Sequence, residues 1–315
     1  MIVTLQIHRY VDEKKWIQEY KIEITKGLTI LSALHEIKAK QDPSLSFTSS
    51  CRSSICGACA VRVNGHSELA CEVLLDTLVK RYKTDVLVVE PLGNFRVIRD
   101  LIVDWDPKYE KMKKIEPSLH PKVEFTVETG CKQSIEDFDK YKKYAGCILC
   151  GSCVSECNKS ALNEKDFLDP FIFVKAAKLV EDSRDKDHKQ HLKDVIEAGL
   201  WKCFNCQECT ASCPKDLDPA GAIEKLKEAT FKLEMASSVG SNHAKAIYDD
   251  IYNTGLLDES KLSVQSEGFI SAALRVPIAY RLMKTGKLDL FEKAPVNKDI
   301  SKIRSIIDIA AKEDK

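Results

Sequence analysis

A chain of 315 residues with 44% hydrophobic residues is long enough for two or three domains, each with its own core. Lysine plus arginine and aspartate plus glutamate stand at 48 each, so the formal net charge is zero and nothing points to nucleic acid or to an acidic substrate. No apolar run reaches the roughly eighteen residues that a bilayer span needs; the nearest, residues 269–283, is interrupted by Arg275, Pro277 and Arg281.

The first eight residues alternate, with Val3, Leu5 and Ile7 apolar. They predict a half-buried strand, and they lack the basic start and small-residue cleavage site of a signal peptide. Reduced thiols in turn favour folding in the cytosol. Tyr20, Ile22 and Ile24 predict a second strand. Leu31, Leu34 and Ile37, at helical spacing, predict a helix over 29–40. A loop rich in serine and glycine follows at 49–57, and it holds cysteines. Val61-Arg62-Val63 then reads as a strand entering an Asn64-Gly65 hairpin turn, and residues 86–89 as a short buried strand.

Pro117 and Pro121 punctuate a polar stretch at 116–122 that reads as a linker, and beyond it the pattern turns helical. Asp169-Pro170 and Asp218-Pro219 each place an N-capping aspartate before a first-turn proline. The helices they open carry Phe171, Val174 and Ala177, then Ile223, Leu226 and Leu233, as core-facing stripes. Residues 236–315 hold no cysteine. Their helical patterns lie at 244–252 and 269–283, the latter with a basic flank of Arg275, Arg281, Lys284 and Lys287. That flank reads either as an ordinary solvated face or as a docking arm for a partner or a membrane surface.

Twelve of the thirteen cysteines fall into three runs. The first is Cys51-x4-Cys56-x2-Cys59, with Cys71 after eleven more residues. The second is Cys147-x2-Cys150-x2-Cys153-x3-Cys157, and the third is Cys203-x2-Cys206-x2-Cys209-x3-Cys213 followed by Pro214. The first spacing is that of plant-type ferredoxins. The others match the bacterial two-cluster run, in which the fourth cysteine of each run serves the other cluster. Zinc sites pair two short knuckles across a longer loop, which these runs do not do. Disulfides belong to oxidising compartments and to small domains without a core. A chain with several one-electron centres in series acts as a wire between partners that do the chemistry. The scattered histidines, none beside a run, argue against a Rieske-type centre.

This order of modules resembles the iron–sulfur subunit of succinate dehydrogenase and fumarate reductase, over residues 1 to about 235. The resemblance is carried by Cys51-Arg52-Ser53-Ser54-Ile55-Cys56-Gly57-Ala58-Cys59, Cys147-Ile148-Leu149-Cys150-Gly151-Ser152-Cys153, Asp182-Ser183-Arg184-Asp185 and Cys213-Pro214-Lys215-Asp216-Leu217-Asp218-Pro219. It implies an α+β fold. A β-grasp plant-type ferredoxin domain would occupy 1–116, a helical two-cluster ferredoxin domain 117–235, and a helical extension 236–315. It implies that Cys51, Cys56, Cys59 and Cys71 hold a 2Fe–2S cluster. Cys147, Cys150, Cys153 and Cys213 would hold a 4Fe–4S cluster, and Cys157, Cys203 and Cys209 a distal one. The chain would then be an electron-transfer subunit without a substrate site. It would relay single electrons between an FAD-containing succinate/fumarate subunit and a membrane-anchor or cysteine-rich-domain subunit linked to the quinone pool. It would lie peripherally on the membrane, on the cytoplasmic side unless a partner exports it.

Three departures refine the expectation. The best-known members have a non-cysteine residue where this chain has Cys206, and their distal cluster is 3Fe–4S; here a fourth thiolate makes 4Fe–4S the favoured form. They also carry a tryptophan and a histidine of the quinone pocket where this chain has the stretch Asn158-Lys159-Ser160-Ala161-Leu162-Asn163 and Phe204, and Asn158 replaces a proline. The resemblance therefore does not carry that pocket over. Finally, the tail, with Arg275-Val276-Pro277 and Arg281-Leu282-Met283-Lys284-Thr285-Gly286-Lys287, resembles the C-terminus of that component of heterodisulfide reductase which pairs with a cysteine-rich partner. Together these point to the methylmenaquinol:fumarate reductase variant, with a thiol-linked fumarate reductase or heterodisulfide reductase component as the alternative. Cys131, outside the runs, reads as a free, partly buried thiol.

Overall fold

The computed structural model describes residues 1–162, 165–287 and 295–313, so Asn163 lies outside the described residues. The chain divides into two compact units, Met1–Ala229 and Thr230–Lys315.

The first unit begins with a five-stranded sheet. Strands β1 (Ile2–Val11), β2 (Lys14–Glu23), β3 (Ala60–Val63), β4 (His66–Leu69) and β5 (Val86–Glu90) pair in the order β2-β1-β5-β3-β4. Only the β1–β5 pair is parallel, with Leu5 opposite Leu87 and Ile7 opposite Val89. The alternation in β1 buries Val3, Leu5 and Ile7 completely, and helix α1 (Ile30–Lys40) lays Leu34 and Ile37 on the same core. Each such side chain contributes about 1.5–3 kcal/mol. Thr29 caps α1, its hydroxyl accepting from the Ser32 amide at 3.1 Å. The Asn64-Gly65 turn has both residues at positive φ, as a hairpin of this twist requires. Helix α2 (Leu75–Tyr82) and the ribbon of β6 (Val97–Arg99) and β7 (Ile102–Val103) complete this part.

Buried Arg9 ties it together. Its guanidinium donates to Asp100 at 3.0 Å, to the Tyr20 hydroxyl at 2.6 Å and to Asp42. Burial pushes the Asp42 carboxyl up, but hydrogen bonds from Ser44, Tyr20 and Arg9 outweigh it and hold the group below the usual carboxylate range.

The rest of the unit is helical: α3 (Asp106–Lys113), α4 (Ile135–Ala145), the single turns α5 (Ser152–Ser155) and α6 (Asn158–Ala161), α7 (Pro170–Glu181), α8 (His188–Glu197), the single turn α9 (Glu208–Ala211), and α10 (Pro219–Lys232), whose last residues begin the second unit. Phe171, Val174, Ala177, Ile223 and Leu226 are buried as their spacing predicts. Leu233 is not: it follows the last residue of α10 and is exposed.

The two Asp-Pro pairs behave differently. Asp218 caps α10, accepting from the Gly221 amide at 3.1 Å. Asp169 stands at the N-cap of α7 but makes no capping bond; its buried carboxylate accepts from Ser160 Oγ at 2.8 Å and Lys108 Nζ at 3.3 Å instead. The cationic and hydroxyl groups facing it compete successfully with the helix amides.

The stretch 116–122 is pinned down rather than free. The His120 amide donates to Asp185 Oδ2 at 3.1 Å and the Lys122 amide to the Arg184 carbonyl at 2.9 Å. Arg184 in turn forks onto Asp182 at 2.9 and 2.7 Å, so the Asp182–Asp185 motif is a structural clasp.

In the second unit, α11 (Val239–Thr254) opens with a capping box between Ser238 and Ser241 and packs against α12 (Glu259–Ala273) and α14 (Ile300–Glu313). The pattern at 269–283 is not one helix. α12 breaks at Gly268, and Leu274-Arg275 forms a turn before α13 (Val276–Lys284), where Pro277 sits in the first turn. No helix among the described residues is long and apolar enough to cross a membrane.

Candidate iron–sulfur cradles

The first cysteine loop winds through positive φ at Arg52, Ser54 and Gly57. This turns its amides inward. Those of Ser53, Ile55 and Cys56 donate to Cys51 Sγ at 3.4, 3.4 and 3.3 Å, and that of Ser54 donates to Cys71 Sγ at 3.3 Å. The Ser53 amide, followed by those of Ile55 and Cys56, pulls the Cys51 thiol down to about 6. Cys59 is buried, and burial pushes it up to about 12. Cys56 is the exposed member, and Cys71 follows β4.

The second and third runs fold alike. Leu149 and Gly151 have positive φ around Cys150, as do Asn205 and Gln207 around Cys206. Each run then enters a single helical turn, α5 carrying Cys153 and α9 carrying Cys209. Two small cavities result. One is lined by Cys147, Cys150, Cys153 and Cys213, walled by Phe171, Val174 and Leu217. The other is lined by Cys157, Cys203, Cys206 and Cys209, walled by Phe167, Phe204 and Ile223. The fourth cysteine of each run thus faces the other run's cavity. Amides of Ser160 and Leu217 approach Cys157 and Cys213 Sγ at 3.4 and 3.5 Å. Burial raises the thiols of Cys147, Cys150, Cys153 and Cys203, and takes Cys209 up to about 12. Four thiols around an apolar cavity, several of them raised by burial, suit a group that brings its own positive charge.

Two features were not legible as site elements. A Cβ at Gly57 would meet Cys150 Cα and Cβ at 2.8 Å, so the first loop lies directly on the second. Asn94 holds them in register: its amide donates to the carbonyls of Val154, Ser155 and Cys157 at 2.8, 3.1 and 3.0 Å. Arg62 and Ser67 add bonds to Glu156 at 3.0 and 2.6 Å. Asparagine in an exposed-looking Gly93-Asn94 turn carries no sequence signal for such a role. Exposure differs between the cradles. The first and last each present one exposed cysteine, Cys56 and Cys206, and the middle one presents none. Cys131, outside all three, is partly buried.

The family model described as a 2Fe–2S iron–sulfur cluster binding domain matches residues 4–110, and that of a 4Fe–4S dicluster domain matches 143–217. The 8-methylmenaquinol:fumarate reductase iron–sulfur subunit of Wolinella succinogenes is 44% identical over 290 residues, 91% of each chain. The fumarate reductase iron–sulfur subunit of Mycobacterium tuberculosis is 36% identical over 240 residues, 74% of this chain and 95% of its own. A chain of the Mycobacterium smegmatis Sdh1 complex in its apo form superposes with a TM-score of 0.67 at 26% identity, over 74% of this chain and 97% of that one.

Proposed function

The chain belongs to the iron–sulfur subunits of fumarate reductase and succinate dehydrogenase, and from that membership we propose that it is the non-catalytic wire of a quinone-linked complex of the methylmenaquinol:fumarate reductase type. The observation that carries the reading is the pattern of exposure: each terminal cradle has one exposed cysteine, and those of the middle cradle are half-buried or buried. A wire needs two contact points and an insulated interior.

Cys51, Cys56, Cys59 and Cys71 hold the 2Fe–2S cluster. Cys147, Cys150, Cys153 and Cys213 hold a 4Fe–4S cluster, and Cys157, Cys203, Cys206 and Cys209 hold a distal cluster, 4Fe–4S in the favoured form and 3Fe–4S if Cys206 stands aside. Bound there, the clusters supply one-electron chemistry. The chain's own residues set the conditions for it. Amides of Ser53, Ser54, Ile55 and Cys56 donate to sulfur and stabilise added negative charge. Phe171, Val174, Phe167 and Ile223 keep water from the inner cradles. Gly57 removes side-chain bulk between the first and middle cradles. Cys56 faces the FAD-containing subunit, and Cys206 faces the cysteine-rich or membrane-anchor subunit that serves the quinone pool.

The test uses the purified, cluster-loaded chain with succinate or fumarate and an artificial dye. No turnover is expected from it alone, and turnover is expected once the flavoprotein subunit is added. Turnover by the chain alone would sink the wire.

A further inference from the structure

The segment after Gly268 is unlike the rest of the surface. From Phe269 to Lys287 the sequence carries Arg275, Arg281, Lys284 and Lys287 and no acidic residue, in a chain whose charges cancel overall. Its large apolar side chains point outward: Phe269 is 81% exposed, Ile270 86% and Leu274 82%. Helix α13 buries no residue. Around its axis Ile278, Leu282, Ala279, Met283, Val276 and Tyr280 form one broad apolar arc, and Arg281 and Lys284 lie together on the remaining side. Arg275 is paired with Glu267; among the described residues no carboxylate pairs with Arg281, Lys284 or Lys287. Contiguous exposed apolar surface edged by charge marks an interaction site.

The occupant can be chosen between a lipid surface and a protein. The relative from Mycobacterium tuberculosis is covered over 95% of its length by 74% of this chain, so it is too short to hold a counterpart of the whole second unit. The relative from Wolinella succinogenes aligns over 91% of both chains and does hold most of it. A lipid surface is open to every membrane-linked member of the family, whereas subunits differ between its classes. A module that one of these relatives holds in large part and the other cannot hold whole therefore matches a partner protein better than it matches lipid.

We infer that the arm from Phe269 to Lys287 docks the quinone-side subunit of the complex, through an apolar groove on that subunit edged by carboxylates. This rests on the functional reading above and adds the segment that makes the contact and the chemistry of its receptor. The apolar face supplies the buried centre and the cations the rim that orients it.

The test is purification of the whole complex through a tag on the flavoprotein subunit, with the chain carrying Ile278→Asp, or Arg281→Glu with Lys284→Glu. Both variants should retain the flavoprotein, all three clusters and succinate–dye activity. Recovery of the quinone-side subunit should fall at least tenfold with Ile278→Asp, and the charge variant should release it at lower salt. Wild-type stoichiometry in both variants would overturn the inference. So would an intact variant complex that has lost only binding to phosphatidylglycerol vesicles, which would make the arm a lipid contact. A wild-type complex with flavoprotein but no third subunit would instead refute the functional reading, and the two failures are thus told apart.

Discussion

Gly57 joins the two ferredoxin-like parts at the scale of a single hydrogen atom. Its φ of +73° and its contact with Cys150 both forbid a side chain. Gly57→Ala should cost about 2 kcal/mol or more, from the left-handed backbone and from overpacking together. Because the Cys150 loop must move away, magnetic coupling between the reduced first and middle clusters should weaken while cluster content stays near wild type. Unchanged coupling would show that the contact does not set the spacing. Cys206 is the second decisive residue. A cubane takes one protein ligand per iron, and Cys206 lines the cavity with Cys157, Cys203 and Cys209. Anaerobically prepared protein should lack the oxidised 3Fe–4S resonance, and Cys206→Ser should create it. A strong 3Fe–4S signal in undamaged wild type, insensitive to the substitution, would leave Cys206 a bystander.

At the scale of elements, the two inner runs share a backbone but not a residue pattern. Gly151 and Gln207 occupy equivalent left-handed positions. A Cβ at Gly151 would meet the Trp105 ring at 2.9 Å, whereas the Gln207 side chain is exposed. Gly151→Ala should therefore destabilise by about 2 kcal/mol or more, and Gln207→Gly should be neutral or stabilise by about 1 kcal/mol. Equal effects in thermal unfolding would mean that packing does not distinguish them. The strand β1 is held by a different kind of contact, the Arg9–Asp42–Tyr20 network. Asp42 is depressed in the folded state, so its contribution is full above the unfolded carboxylate value of about 3.9 and is lost as pH falls through and below it. Asp42→Asn should flatten the acid limb of the stability profile; an unchanged limb would place the acid sensitivity elsewhere.

These elements also show where sequence reading succeeds. Alternation in β1 and helical spacing in α1 were legible because each buries one face against a single core, and α7 because it is apolar nearly all round and opens at Asp169-Pro170. Asp169 misled because capping is a local rule, and Lys108 reaches it from 61 residues away. The tail at 269–283 misled because its apolar residues have no core to face, so their spacing does not report burial.

At the scale of the whole molecule, stability is unevenly borne. The sheet has its own apolar core, built on Val3, Leu5, Ile7, Leu87 and Val89, and needs no cluster to form it. The helix α7 is likewise buried along most of its length. By contrast α5, α6 and α9 are four residues each, far below the ~12 that a marginal isolated helix needs. They carry Cys153 and Cys209 and follow Cys157, so their order depends on what those thiols hold. Chelating the iron should therefore remove amide-exchange protection from α5, α6 and α9 and leave it in β1, β5 and α7. Loss of the first cluster alone, by Cys59→Ser, should spare all three turns and both inner clusters, since its four thiols lie in the sheet-bearing part. One link between the two is the Asn94 amide, which reaches the carbonyls of α5 and of Cys157. Asn94→Ala should accordingly expose α5 to exchange without loss of iron. If chelation instead unfolds the β-sheet together with the turns, the clusters are the common core of the first unit, and the separate stability argued for the sheet is wrong.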